Sequence, residues 1–172
     1  YNDKEYYMDM HGFVKDTIAE VEYATDLSAT FVFKDTEETL KQYPWNFEFR
    51  VTYTIRGNCL DTAYEIKNTS DCTMYYSVGA HESYYCEGGI EDYDIIFERK
   101  ETLYNVTYTD KTVPCTRNIL LKDSNVLPLY EHYFNIDSII FKDVKSRYAT
   151  LRNRKTGETA SIKYEGFDYL LL

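Results

Sequence analysis

The 172-residue chain is poor in several residue types, and each shortage excludes a class of protein. It has 19 Lys and Arg against 29 Asp and Glu, a formal net charge of −10. Nucleic acids and anionic membranes both require basic surface, so we expect neither as a partner. No apolar run approaches the roughly 20 residues of a membrane helix. No long stretch keeps a helical period, and residues 35–40 supply at most a turn of helix.

Cysteine and histidine are also scarce. The four cysteines are Cys59, Cys72, Cys86 and Cys115, and none forms the Cys-x-x-Cys pair typical of a zinc site. We expect no metal and no other cofactor. An even number permits two disulfides, but a chain of this length forms a core without them. We therefore predict reduced thiols and a cytoplasmic protein.

Aromatic and alternating segments are abundant. Tyr and Phe number 19 and 9, a composition typical of β-sheets. Residues 46–67 alternate apolar and polar side chains on both sides of Gly57-Asn58, which predicts a β-hairpin with one buried face.

Further segments have the composition of short strands separated by turns. The predicted strands are residues 30–33, 73–78, 93–99, 138–141, 149–153 and 159–164, with strand also at Tyr1 and over 169–172. Many short strands indicate an all-β antiparallel sandwich or barrel, and we expect one domain over residues 1–172. Because both ends interrupt strands, we interpret the chain as a central fragment.

Few side chains are candidates for chemistry. Of the three histidines, His11 precedes a glycine and His81 follows two small residues at the end of an apolar strand, where an acid or base has space. His132 lies in a polar loop, and structural or exposed roles are more common for each isolated histidine. Asp137 interrupts an apolar run, so its carboxylate needs a partner or ligand unless it only forms a turn.

Several short motifs occur in a fixed order along the chain. They are Tyr6-Tyr7-Met8 before His11-Gly12-Phe13, Tyr43-Pro44-Trp45-Asn46-Phe47, Asn68-Thr69-Ser70-Asp71, Val78-Gly79-Ala80-His81, Leu127-Pro128-Leu129 with Phe134, Asp137-Ser138-Ile139-Ile140-Phe141 and Tyr164-Glu165-Gly166-Phe167. In this order and spacing the chain resembles the bacterial aldose 1-epimerase, or galactose mutarotase-like, family. The resemblance implies an antiparallel β-sandwich, the galactose mutarotase-like supersandwich, incomplete at both ends.

The resemblance also implies an activity. Such enzymes interconvert the α and β anomers of a galactose- or glucose-like aldose by acid/base ring opening without a cofactor. By matching motif, His81 is the general acid, and His11 and Asp137 bind the sugar. All three residues are then expected to line one hollow.

Three differences from the family pattern stand out. Lys15 occupies the usual Arg position of the His-Gly-Phe motif, which keeps a positive charge but loses the bidentate fork. Glu82 replaces the Pro that usually follows the second histidine. The family's general-base Glu lies beyond the segment that matches the end of this chain.

Two other functions remain open. A non-catalytic carbohydrate-binding or sensing protein can use the same scaffold, and so can an accessory domain of a larger carbohydrate-processing enzyme. Since no basic cluster accompanies Lys15, we expect a free monosaccharide rather than a sugar phosphate. The sequence does not determine the oligomeric state.

Overall fold

The computed structural model describes residues 1–108, 114–135 and 138–172, and the side chains of residues 1–105, 118–135 and 138–172. Strands dominate these residues and every strand pair is antiparallel, which confirms the all-β prediction. The backbone forms two compact units, Tyr1–Ser77 and Val78–Leu172. A single domain over residues 1–172 stays a prediction.

The first unit contains one sheet with strands in the order β1-β2-β3-β4. A short 3₁₀ turn precedes it and one α-helix separates β2 from β3. The bounds are Val14–Asp16 for the turn, Glu20–Ala24 for β1, Ser28–Lys34 for β2, Glu37–Gln42 for α1, Phe47–Arg56 for β3 and Cys59–Asn68 for β4.

The predicted hairpin is confirmed as β3 and β4, which are paired from Phe47↔Asn68 to Arg56↔Cys59. Period-two alternation buries Phe47, Phe49 and Val51 on one face of β3. At the turn end of the hairpin the alternation no longer predicts burial, since Ile55 and Leu60 are exposed. Within the first unit, the apolar face is therefore buried at one end of the hairpin and exposed at the other.

Helix α1 is as short as the sequence predicts. Thr36 caps it: its hydroxyl accepts from the backbone N–H of Thr39, and the Thr39 hydroxyl accepts from the backbone N–H of Thr36. This reciprocal arrangement satisfies two backbone donors at the helix start. The chain then continues into Trp45 and β3.

The second unit contains two sheets. One has strands in the order β6-β5-β8-β9, and the other pairs β7 with β10. Two 3₁₀ turns, Ile90–Asp92 and Glu131–Phe134, precede β5 and β7. The strands are β5 Tyr93–Tyr108, β6 Pro114–Pro128, β7 Ile140–Lys142, β8 Tyr148–Asn153, β9 Thr159–Lys163 and β10 Tyr169–Leu171.

The core of the second unit combines side chains from both of its sheets. Phe97 on β5 and Phe141 on β7 meet edge to face at 6.4 Å between ring centroids. Ile139 and Phe141 are fully buried, and Leu127 is 1% exposed. Burial of this kind contributes roughly 1.5–3 kcal/mol per large apolar side chain. This core fixes the start of β5, where the segment carrying His81 joins the sheet.

The predicted strand over residues 73–78 is wrong. Two backbone carbonyls of this segment accept hydrogen bonds from side chains instead of from a neighbouring strand. The donors are Trp45 Nε1 to the Thr73 carbonyl at 2.9 Å and the Tyr43 hydroxyl to the Tyr75 carbonyl at 2.8 Å. Residues 73–86 form no helix, strand, turn or bend.

Other strand predictions differ in detail. The strands over residues 30–33, 93–99, 149–153, 159–164 and 169–172 are confirmed within a few residues, although β5 is longer than predicted. Residues 138–141 become strand only from Ile140, and Tyr1 lies outside any strand. Sequence pattern did not predict β1, whose residues are all exposed, or β6. In the described part of the chain, no helix has the length and apolar character required to cross a membrane.

Candidate functional site

His11 has an unusual backbone conformation in the first unit. Its φ is 66°, and Gly12 follows with φ of 68°. The Gly12 N–H donates to the Asp9 carbonyl at 2.9 Å, closing a tight turn. A left-handed conformation costs a non-glycine residue roughly 1–2 kcal/mol, and such strain concentrates at functional sites. The His11 side chain is exposed, so a ligand can reach it.

A surface cavity of about 520 Å³ adjoins this turn. Gly12, Phe13 and Asp16 form part of its lining, together with Thr39 and Gln42 of the α1 region. The Phe13 ring packs against Tyr43 and Phe47, with centroids 5.7 and 5.8 Å away. The His-Gly-Phe motif is thus anchored by its phenylalanine beside an open cavity.

Lys15 lies in the 3₁₀ turn Val14–Asp16 and forms an ion pair with Asp16. The hydrogen bond that the ammonium donates to Asp16 raises the pKa of Lys15 above its ordinary value. Both side chains are exposed to solvent. Lys15 therefore has an acidic partner within its own turn.

Trp45 is a core residue of the first unit. It is 7% exposed, and its indole N–H donates to the Thr73 carbonyl at 2.9 Å. The rings of Tyr1 and Tyr43 pack against it at 4.7 and 4.9 Å. Its burial therefore places the indole in the core of the first unit.

His81 lies in the second unit, in the segment without regular structure, and its side chain is exposed. The neighbouring Glu82 acts on a different residue: burial, and then the charge of Glu82, raises the pKa of Tyr84.

The His81 segment is anchored at its C-terminal end. Cys86 is half-buried and packs against the core of the second unit, and this burial raises the pKa of its thiol. Gly88 and Gly89 then adopt φ of 84° and 108°, which few other residues tolerate. They lead into the 3₁₀ turn Ile90–Asp92 and β5. His81 thus lies five residues before Cys86, which is held by its packing against the core.

Asp137 lies outside the described residues, so its role as a sugar ligand stays a prediction. His11 and Lys15 belong to the first unit and His81 to the second, and their predicted convergence also stays a prediction. Among the described residues, no group of three or more His, Cys, Asp or Glu side chains is arranged to hold a metal ion. Cys59, Cys72 and Cys86 are free thiols.

Comparisons with known proteins agree with the order of motifs. The family model for aldose 1-epimerase matches residues 1–161. The plasmid and chromosomal forms of the protein LacX from Lactococcus lactis subsp. lactis are each 33% identical over 174 residues. The alignment covers 94% of this chain and 57% of LacX, so the chain spans little more than half of the length of these relatives.

Solved structures show the same fold. A galactose mutarotase related enzyme from Lactobacillus acidophilus superposes with a TM-score of 0.77 at 26% identity, covering 98% of this chain and 62% of that one. A galactose mutarotase-like protein from Lactobacillus casei gives a TM-score of 0.82 at 23% identity, covering 99% and 60%. The antiparallel sheets are therefore those of the galactose mutarotase-like fold.

Proposed function

Because the chain belongs to the aldose 1-epimerase family, we propose that the protein interconverts the α and β anomers of a free aldose such as galactose or glucose. The observation that supports this most strongly is the match of the family model across residues 1–161, which includes both motif histidines. The chain covers 57% of the length of the LacX relatives. We therefore propose this activity for the full-length protein.

The proposed reaction opens and recloses the sugar ring. His81, as imidazolium, gives a proton to the ring oxygen while a base removes the proton of the anomeric hydroxyl. The C1–O bond breaks, C1 becomes an aldehyde, and rotation about C1–C2 presents its other face. Reclosure returns both protons, so atoms and charge balance. We assign no residue of this chain as the base.

The exposure of His81 supports its role as the acid. An acid must reach the ring oxygen directly, and the imidazole is open to solvent.

His11, Lys15 and Asp137 are proposed to bind the sugar. The strained backbone of His11 and the adjoining cavity support its role. The ion pair with Asp16 makes Lys15 a poor phosphate ligand, which supports a free sugar as substrate. Three free thiols support a reducing compartment, and we place the protein in the cytoplasm.

Mutarotation of fresh α-galactose and α-glucose, followed by polarimetry with the full-length protein, tests the proposal. We expect His81→Asn to lower kcat by about 10²–10⁴-fold, the contribution typical of a general acid. His132→Asn is the matched control, because that ring is stacked on Tyr130 and packed against Tyr133 outside the proposed machinery. A folded wild-type protein that does not exceed the spontaneous rate contradicts the proposal.

A second function is favoured by one observation. Lys15, which is ion-paired with Asp16, stands where the family pattern has Arg, so the bidentate fork is lost and hydroxyl recognition is altered. A non-catalytic carbohydrate-binding or sensing protein tolerates that change. Sugar binding by calorimetry without any acceleration of mutarotation would favour this function over catalysis.

A further inference from the structure

The backbone of Tyr43 is held at the end of helix α1 in the first unit. Its N–H donates to the Thr39 carbonyl at 2.8 Å, and its φ of −140° and ψ of 98° are extended. Pro44 follows, and a proline disfavours helical backbone in the residue before it. The backbone therefore gives the Tyr43 side chain a defined starting point.

The Tyr43 ring packs against the His-Gly-Phe motif. Its centroid lies 5.7 Å from that of Phe13 and 5.7 Å from that of Phe47 on β3. Aromatic pairs at such distances stabilise each other beyond the area that they bury. Phe13 follows the left-handed residues His11 and Gly12 directly, so the ring supports the turn that presents His11.

The Tyr43 hydroxyl contacts a second segment of the chain. It donates to the Tyr75 carbonyl at 2.8 Å. Burial, and then the charge of Tyr76, raises the pKa of Tyr43 above its ordinary value, so the hydroxyl remains a donor at neutral pH. Tyr75 lies six residues before His81, in the segment without regular structure.

The segment that carries His81 is anchored by side chains on either side of the histidine. Cys86 packs against the core of the second unit after it. Before it, the Tyr75 carbonyl accepts from Tyr43 and the Thr73 carbonyl accepts from Trp45. Tyr43 donates the hydrogen bond of this pair that lies nearer to His81 in sequence.

We propose that Tyr43 is a positioning residue for both motif histidines, acting on the His11 turn through its ring and on the His81 segment through its hydroxyl. This rests on the proposed function, which makes His11 a sugar ligand and His81 the general acid. The ring contact then influences sugar binding and the hydroxyl contact the chemical step. A misplacement of about 1 Å in a catalytic group costs up to about 10²-fold in rate.

Mutarotation kinetics of galactose with full-length variants separate the two contacts. Tyr43→Phe removes only the hydroxyl and is expected to lower kcat about tenfold with KM within about twofold of wild type. Phe13→Leu removes the ring pair and keeps the hydroxyl, so KM should rise about fivefold with kcat within about twofold. Tyr43→Leu loses both contacts and should show both effects.

Tyr148→Phe is the matched control. That hydroxyl also donates at 2.8 Å, to Ser161, but in an exposed environment on β8 of the second unit. Its kcat and KM should equal those of the wild type. Circular dichroism and urea unfolding verify that each variant folds, and Tyr43→Phe with Phe13→Leu suffices if Tyr43→Leu does not fold.

Limited proteolysis with chymotrypsin measures the anchoring of the segment without reference to activity. Chymotrypsin accepts large apolar side chains, and the segment contains four exposed tyrosines: Tyr75, Tyr76, Tyr84 and Tyr85. Tyr43→Phe frees the Tyr75 carbonyl, so we expect cleavage at these tyrosines to be about threefold faster than in Tyr148→Phe.

The outcomes distinguish this inference from the proposed function. A Tyr43→Phe variant with kcat within about twofold of wild type, or with a change in KM alone, would overturn the inference. If the wild type does not exceed the spontaneous rate, the proposed activity fails. Faster cleavage of Tyr43→Phe then still supports the anchoring of the segment by Tyr43, and unchanged cleavage overturns it.

Discussion

Glu101 and Ser146 are joined twice inside the second unit, although 45 residues separate them in sequence. Glu101 Oε1 accepts from the Ser146 backbone N–H at 2.6 Å and from its hydroxyl at 2.7 Å. The same hydroxyl accepts from the Arg99 N–H at 3.3 Å. Glu101 is 4% exposed and Ser146 is 0% exposed, so the carboxylate exchanges hydration for these bonds.

Ser146→Ala removes the hydroxyl from this pair. We expect the free energy of unfolding to fall by about 1.5–3 kcal/mol, because a buried carboxylate loses one of its donors. Urea unfolding measures the change. Ser161→Ala is the control, since that hydroxyl bonds Tyr148 and Thr150 in an exposed environment, and it should change stability by less than about 0.5 kcal/mol. Equal effects of the two variants would contradict the role of Ser146.

The Tyr164 hydroxyl is buried without a hydrogen-bond partner in the described part of the chain. Tyr164→Phe removes this unsatisfied group, so we expect the free energy of unfolding at neutral pH to rise by about 1 kcal/mol. A decrease of similar size in urea unfolding would show that the hydroxyl forms a stabilising contact.

Tyr164 also predicts a pH dependence. Burial, and then the charge of Glu101, raises the pKa of Tyr164 to about 12, above the ordinary value of 10.0. As pH rises, Tyr164 ionises at a lower pH in the unfolded chain than in the folded protein. Its contribution to the free energy of unfolding is therefore fully present below about pH 10 and is lost towards pH 12. Urea unfolding at about pH 9 and about pH 11 should show the wild type losing stability relative to Tyr164→Phe.

Gly88 makes a close approach near the start of β5. Its φ is 84°, and a Cβ there would lie 2.8 Å from Asp92 Oδ2, which accepts from Lys155 Nζ at 2.7 Å. We expect Gly88→Ala to lower the free energy of unfolding by about 1 kcal/mol more than Gly57→Ala. Gly57 has a similar φ of 62° and no neighbour within 4 Å, so it isolates the effect of the clash. Equal losses by urea unfolding would exclude a steric contribution.

Arg50 links the edge strand β1 to β3. Its Nε and Nη2 donate to the two carboxylate oxygens of Glu22, each at 2.8 Å, and Nη1 donates to Glu48 at 2.8 Å. Lys cannot reproduce this fork. Arg50→Lys should lower the free energy of unfolding by about 0.5–1 kcal/mol and speed amide hydrogen exchange in β1. Arg56→Lys, at the exposed Arg56–Asp61 pair, is the control, and equally fast exchange in both variants would contradict the link.

Sequence pattern predicted the regular parts of this fold. The β3–β4 hairpin follows from alternation on both sides of Gly57-Asn58, and both signals are local. The same signals were insufficient at residues 73–78, where the side chains of Tyr43 and Trp45 take the backbone carbonyls that a neighbouring strand would use. Edge strand β1 was missed because none of its residues is buried.

For the candidate site, the motifs selected the histidines, but the surroundings of those histidines came from the coordinates. His11 has a left-handed backbone, which the glycine that follows it predicts only in part. Most residues before a glycine have negative φ. The ion pair of Lys15 with Asp16 joins adjacent residues, yet sequence adjacency alone does not show that two side chains meet.

Composition and alternation by themselves determined an acidic, all-β chain with antiparallel hairpins, because charge and a two-residue period are properties of neighbouring residues. Tertiary structure decided which alternating positions are buried, why residues 73–78 form no strand, and how the Glu101 carboxylate is satisfied. Each of these depends on a partner tens of residues away, and burial and hydrogen bonding are settled only when the chain brings such partners together.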